Sequence, residues 1–283
     1  MDQTITHTLV IPDISIIIPC YNSGSYIQEA IDSVLAYSGN KAYEIIIIND
    51  GSDDAHTLSL LALYSGKGYT VLSQENKGPA AARNCGCQHA RSEYLLFLDS
   101  DNKIRPEYID KGIEILDKFP DVGVVHGNPA FFGDTINARF NTRPFDFFAI
   151  LMSNYIDICT VIRKKVWQDT GGFDEAKILF GHEDWEFWIR VGASAWKFHH
   201  IEETLFDYRV RHNSLIINSS GSENIMELRK YVYNKHLEIY IRHHRILYEL
   251  FLIYQNDTRR PFRSFTKYFY RKFFVKLPQT AFR

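Results

Sequence analysis

Asp99 and Asp101 flank a single serine at the exit of the apolar run Tyr94-Leu95-Leu96-Phe97-Leu98. Two hard carboxylates so placed can approach one divalent cation, Mg²⁺ or Mn²⁺, whose remaining positions go to water and to phosphate oxygens of a ligand. Without a cation or a basic partner the two charges repel, and one carboxyl is driven toward its protonated form. An isolated Asp-x-Asp is common in turns; its place directly after a buried strand gives it weight. Two other apolar runs end in the same polar way, one in Pro19-Cys20-Tyr21-Asn22 and one in Asn49-Asp50-Gly51-Ser52-Asp53-Asp54. Turn-forming and helix-capping preferences explain any one of these loops, but poorly all three. Asp50 could accept hydrogen bonds from a nucleobase imide or a ribose hydroxyl. Arg83 offers a fork of donors suited to phosphate, in a stretch (Asn76 to Asn84, with Gly78 and three alanines) whose small residues admit close approach at a helix N-terminus. The plainer alternative is that Arg83 pairs with a strand-end aspartate and holds the cleft in shape.

These residues need a scaffold that brings strand ends together. Residues 14–18 and 44–48 are β-branched runs of the kind buried on both faces of a parallel sheet, with a helical periodicity at Ile27, Ala30, Ile31, Val34 and Leu35 between them. The alternation continues with a helix over 57–64, a strand over 69–73, a helix over 79–90 and a strand over 94–98. A helix over 106–119 and a strand over 122–125 follow; residues 129–144 read as loop. Beyond them come a strand over 158–163, the turn Gly171-Gly172-Phe173-Asp174, an acidic helix start at 181–186, further strands, and one or two long amphipathic helices over 222–254. In such α/β sheets ligands bind beyond the carboxyl ends of the strands, where these polar loops lie.

In order, the segments IIIPCYN, YEIIIINDGSDD, NKGPAAARN, YLLFLDSDN, GGFDE, GHEDWEFWIR and YRVRHNS resemble the inverting family 2 glycosyltransferases over roughly residues 13 to 215. The resemblance implies a GT-A fold, a Rossmann-like α/β architecture with a mostly parallel central sheet, and a nucleotide-diphosphate sugar as donor. It divides the chain into a catalytic domain over 1–221, with a nucleotide-binding half near 13–127 and an acceptor-side half near 128–221, and a helical, basic, aromatic extension over 222–283. Carried over by position, Tyr21 and Asp50 contact the base, Pro19 and Asn22 shape that loop, and Gly78, Arg83 and Ser100 face the nucleotide. Asp101 is the principal metal ligand, with Asp99 near the metal or the donor sugar. Asp184 is the base that deprotonates an acceptor hydroxyl, and Glu183 supports it. The plainer reading of Glu183, Asp184 and Glu186 is acids in the first turn of a helix. Trp185 is the candidate aromatic wall of an acceptor site, while Trp188 reads as core. Two departures stand out: Asn49 replaces the first of the usual acidic pair before Gly-Ser, and Arg211, followed by His212, stands where many relatives carry histidine. A metal or diphosphate role there is open, although Arg211 could meet a phosphate directly.

The 283 residues carry 45% hydrophobic and 23% charged side chains, with Lys+Arg 32 against Asp+Glu 34. That is an ordinary folded chain without the global positive charge of a nucleic-acid binder. No run reaches the roughly 18 apolar residues of a membrane span, and residues 1–12 lack the pattern of a secretory signal, so a cytoplasmic protein is expected. Cys20, Cys85, Cys87 and Cys159 lack zinc or disulfide spacing. His199, His200, His243 and His244 read as surface or packing residues. Residues 258–283 mix Arg and Lys with Phe and Tyr and contain no acid, a composition suited to an anionic membrane surface or to a helix with a solvated basic face. The expected activity is metal-dependent transfer of a sugar, from a UDP-sugar by default, to a glycan or lipid-linked glycan for a bacterial surface polysaccharide. A nucleotidyltransferase is the first alternative, though IIIPCYNSGS lacks the basic residue such enzymes carry after strand one. A catalytically silent sugar- or nucleotide-binding protein of the same fold is the second.

Overall fold

Strand β1 (Ile14–Cys20) is buried along its whole length, as its isoleucines require when helices cover both faces of a sheet. The computed structural model describes residues 11–136, 140–211 and 222–260, together with 262, 263, 265, 266 and 270. Helix α1 (Ile27–Leu35) packs through Ile27, Ala30, Ile31 and Val34. Then follow β2 (Tyr43–Asp50), α2 (Ala55–Gly66), β3 (Thr70–Gln74), α3 (Pro79–His89) and β4 (Tyr94–Phe97). Local chemistry sets the helix starts: Asp54 caps α2 by accepting from the Thr57 N–H at 2.8 Å, and Pro79 opens α3 after Gly78, whose φ is +91°. Gly86 lets α3 lie against the sheet, since a Cβ there would stand 2.5 Å from the Ile17 side chain.

The acceptor-side half contains β5 (Lys103–Ile104), α4 (Glu107–Lys118), β6 (Val122–Gly133), α5 (Phe147–Met152), β7 (Thr160–Arg163), α6 (Lys164–Thr170), α7 (Glu183–Gly192) and β8 (Lys197–Val210). The sheet runs β3-β2-β1-β4-β7-β6-β8-β5. Four of its seven pairings are parallel, and the antiparallel ones all involve β7 or β5. Strand β6 extends to Gly133, five residues into the stretch expected to be loop. Its register against β8 shifts at Gly127, Asn128 and Pro129, so the residues that looked like a turn form a bulge, where proline is tolerated.

Two helices follow, α8 (Ser222–Lys235) and α9 (Leu237–Arg259). The chain divides into compact units at Met1–Val232 and Tyr233–Arg283, whereas the sequence suggested a boundary at 221. Most of α8 falls in the first unit because Leu228 and Val232 are buried and the Tyr231 hydroxyl donates to Asp174 at 2.7 Å. Most of the basic segment expected over 258–283, and His212, lie outside the described residues.

Candidate active site

The loops after β1, β2 and β4 lie side by side because β1 is the neighbour of both β2 and β4. Asn22 stitches the first two together: its side chain donates to Asp53 at 2.7 Å and accepts from the Asp53 N–H at 3.0 Å. It does so from φ +47°, a left-handed conformation asparagine tolerates. Pro19 is buried at the end of β1, and Tyr21 beside it is 48% exposed, available to a flat ligand. Asn49 accepts from the Ser52 N–H at 2.9 Å, a turn role that needs no charge. Ser100 joins the β4 loop to the β1 loop by donating to Ser23 at 2.9 Å.

Asp50 does not stand open to a ligand. Both its oxygens are engaged, Oδ1 by Gln74 at 2.8 Å and the Lys77 N–H at 2.9 Å, Oδ2 by the Gly78 N–H at 2.8 Å, and the residue is 4% exposed. Its part in this structure is to hold the 76–78 loop at the mouth of α3. Arg83 likewise turns inward. It is 3% exposed and gives NH2 to Asp99 and NH1 to Glu183, each at 2.6 Å. Burial alone would make the guanidinium easier to deprotonate; the two carboxylates overcome this and hold it firmly charged. The plainer sequence reading of Arg83 thus describes its contacts here, with a consequence it did not contain: one arginine ties the Asp-x-Asp loop to the first turn of α7.

That turn carries three acids with different fates. Glu183 is fixed by Arg83 and by the Gly181 N–H at 2.8 Å. Glu186, fully buried, is clasped by Arg190 one turn on. Asp184 alone faces a cavity of about 500 Å³, with Oδ2 accepting from Asn154 at 2.8 Å and Oδ1 from the Trp185 N–H at 2.7 Å. Burial, then the charges of Glu183 and Asp157, push its carboxyl well above the ordinary range. Trp185 lines the same cavity but is 4% exposed, its indole N–H bonded to the Ile150 carbonyl, so it forms wall rather than a projecting platform. Trp188 is core, with its indole N–H on the Ile156 carbonyl at 3.0 Å.

Asp157 escaped the sequence reading. It lies just before β7 in the cavity wall, its Oδ1 accepting from the Cys159 N–H at 2.8 Å, and burial together with Asp99 pushes its carboxyl up to about 7. The signal was a lone acid in the apolar run Ile156-Asp157-Ile158-Cys159. Asn102 escaped too; it is 2% exposed and accepts from the Arg209 N–H at 2.8 Å, pinning β8 to the Asp-x-Asp loop. Asp101 meets Arg211, NH2 to Oδ2 at 2.8 Å, and burial raises its carboxyl to about 6 despite that partner. Among the described residues no three His, Cys, Asp or Glu side chains converge as a metal cluster, which leaves Cys85 and Cys87 as free thiols. A site of one or two carboxylates completed by phosphate oxygens and water is the mode Mg²⁺ and Mn²⁺ use, and the all-oxygen set of Asp99 and Asp101 fits it.

A sequence model described as "Glycosyl transferase family 2" matches residues 15–176, and one described as "Glycosyltransferase like family 2" matches 135–260. The chain belongs to glycosyltransferase family 2. It is 31% identical over 210 residues to an uncharacterized glycosyltransferase of Rickettsia prowazekii, covering 70% of this chain and 62% of that one. The chain therefore spans under two thirds of that relative. Among solved structures, Staphylococcus aureus TarS 1–349 in complex with UDP-GlcNAc superposes with a TM-score of 0.64 at 22% identity, over 78% of this chain and 65% of that one. The mannosyltransferase PcManGT of Pyrobaculum calidifontis, in complex with GDP-Man and Mn²⁺, gives 0.59 at 16%, over 80% and 64%. At these identities the likeness establishes the fold, the GT-A architecture.

Proposed function

We propose that this family 2 glycosyltransferase moves one sugar from a nucleotide-diphosphate donor to a hydroxyl of a glycan or lipid-linked glycan, with inversion, and that Asp184 is its base. The observation that carries this is Asp184's position: it is the acid of the α7 first turn that no arginine neutralises, it lines the cavity, and Arg83 locks its neighbour Glu183 to the donor-side Asp99. As the acceptor oxygen attacks the anomeric carbon, its proton passes to Asp184. The bond from that carbon to the diphosphate breaks and its electron pair leaves with the diphosphate. A carboxyl raised above its ordinary range is a stronger base once ionised, which suits it to this step near neutral pH. Asp101 and Asp99 would hold a divalent cation, which when bound supplies charge stabilisation for the leaving diphosphate.

UDP is the favoured nucleotide, supported by the UDP-GlcNAc complex of TarS, and a surface polysaccharide is the favoured product. No helix among the described residues is long and apolar enough to cross a membrane. Exposed Phe262 and Phe265 beside Arg259, Arg260 and Arg263 favour peripheral contact with an anionic bilayer, at the cytoplasmic face. The reading is tested by nucleoside diphosphate release from a panel of UDP- and GDP-sugars. Asp184→Asn should lower turnover by about 10²-fold or more while nucleotide affinity is kept. Turnover near wild type in Asp184→Asn would exclude it as base.

A further inference from the structure

Helix α9 lies in the second compact unit and keeps large apolar side chains in the open. Leu237, Ile241, Tyr248, Phe251 and Leu252 are each between 41% and 62% exposed. At about 3.6 residues per turn all five fall within roughly a third of the helix circumference, so they form one stripe rather than scattered surface. The series Leu237, Ile241, His244, Tyr248, Phe251, Gln255 advances by four and three residues in turn, the spacing of a helix-pairing seam. A lone helix in water is marginal, and packing of its apolar face supplies most of its stability.

A bilayer is a poor match for this stripe. The charges beside it, Glu238, Arg242, Arg245 and Glu249, cancel, and Arg245 is paired with Glu249 at 3.2 Å, so they bring no net attraction to anionic lipid. The apolar stretch from Ile246 to Tyr254, interrupted only by Glu249, rises about 13 Å against the roughly 30 Å of a hydrocarbon core.

A second copy of the same helix, run antiparallel, matches the stripe position by position. With Tyr248 set against the partner subunit's Phe251, His244 falls against the partner subunit's Gln255, so ring meets ring and polar meets polar, each pair occurring twice. The same register brings Glu238, in the first turn, beside Arg259 of the partner subunit, in the last turn, and opposes the two helix dipoles. A parallel pair instead sets His244 against its own copy and keeps Glu238 and Arg259 at opposite ends. At roughly 150–250 Å² for a large side chain, the exposed stripe comes to about 1,000 Å² over two copies, the size expected of a specific interface.

We propose that α9 is a self-association helix, through which two copies of this chain pair antiparallel in the register that joins Tyr248 to Phe251 and Glu238 to Arg259.

The test is sedimentation equilibrium of the full chain from about 1 to 100 µM. Wild type should be dimeric in this range. Tyr248→Glu, which sets a carboxylate against an aromatic ring at two symmetric places, should raise the dimer Kd by about 100-fold or more. Glu238→Arg should raise it about fivefold or more, and the double variant Glu238→Arg with Arg259→Glu should return it to within about twofold of wild type. A wild type that stays monomeric overturns the proposal, and one that also pellets with phosphatidylglycerol vesicles assigns the stripe to lipid instead. A dimer that Tyr248→Glu leaves intact overturns it as well. Should Tyr248→Glu fail to fold by circular dichroism, the charge pair decides: no weakening in Glu238→Arg, or no rescue in the double variant, overturns the proposal.

Discussion

Asp157 and Asp184 share one cavity, and burial pushes both carboxyls above their ordinary range; the charge of Asp99 adds to the shift of Asp157, and those of Glu183 and then Asp157 add to the shift of Asp184. With Asp184 as base, kcat/KM falls as pH drops through its raised folded-state value, so the acid limb lies above the ordinary carboxylate range of about 4. Asp157→Asn removes a negative neighbour, eases ionisation of Asp184 and should move that limb to lower pH; a pH-rate profile of the two proteins checks it, and an unmoved limb would separate Asp157 from the base. At this scale the sequence marked positions better than contacts. The strand-end acids were legible because they follow apolar runs at the ends of strands, whereas the Glu183-Asp184 pair stood out only through the family resemblance, since acids in a helix first turn explain themselves. The inward turns of Asp50 and Arg83 were not, because they depend on the Lys77 and Gly78 amides and on Glu183, 100 residues away from Arg83.

Among the elements, β6 and β8 pack a histidine where the sheet interior should be apolar. His126 is 1% exposed, neither ring nitrogen has a partner among the described residues, and it stacks on His200 at 4.8 Å. Burial, followed by the charges of His200 and His199, lowers its pKa to about 3. The unfolded chain, with an ordinary histidine near 6.5, binds the proton that the folded chain refuses, so stability is lost as pH falls from about 6.5 toward 3. At pH 5 the cost approaches about 2 kcal/mol. His126→Leu should therefore lose less Tm than wild type between pH 7 and pH 5 in thermal melts; parallel losses would show that His126 takes up its proton without unfolding. The β1-to-β4 alternation could be read from periodicity because β1 and β2 are β-branched runs and β4 is a short apolar one, each followed by turn residues. The full length of β6 could not, since Gly127, Asn128 and Pro129 have turn chemistry and are kept in the sheet only by pairing with β8.

Across the whole molecule, the first unit gathers the loops after β1, β2 and β4, the α7 turn and the cavity, and a nucleotide-diphosphate donor is expected to bind there. The GT-A fold was legible from seven ordered motifs, whereas the acceptor's identity was not, because the cavity is walled by residues scattered from Phe140 to Arg229. A ligand that binds the native state raises its stability by mass action. The decisive measurement is the thermal stability of the full chain with UDP, GDP, dTDP and CMP, each with and without Mn²⁺, for wild type and Asp101→Ala. One nucleoside diphosphate, UDP first, should raise Tm by several degrees at about 100 times its Kd, more with Mn²⁺ than without. Asp101→Ala should lose the Mn²⁺-dependent part. An unchanged Tm with every nucleotide, with and without Mn²⁺, would contradict the account.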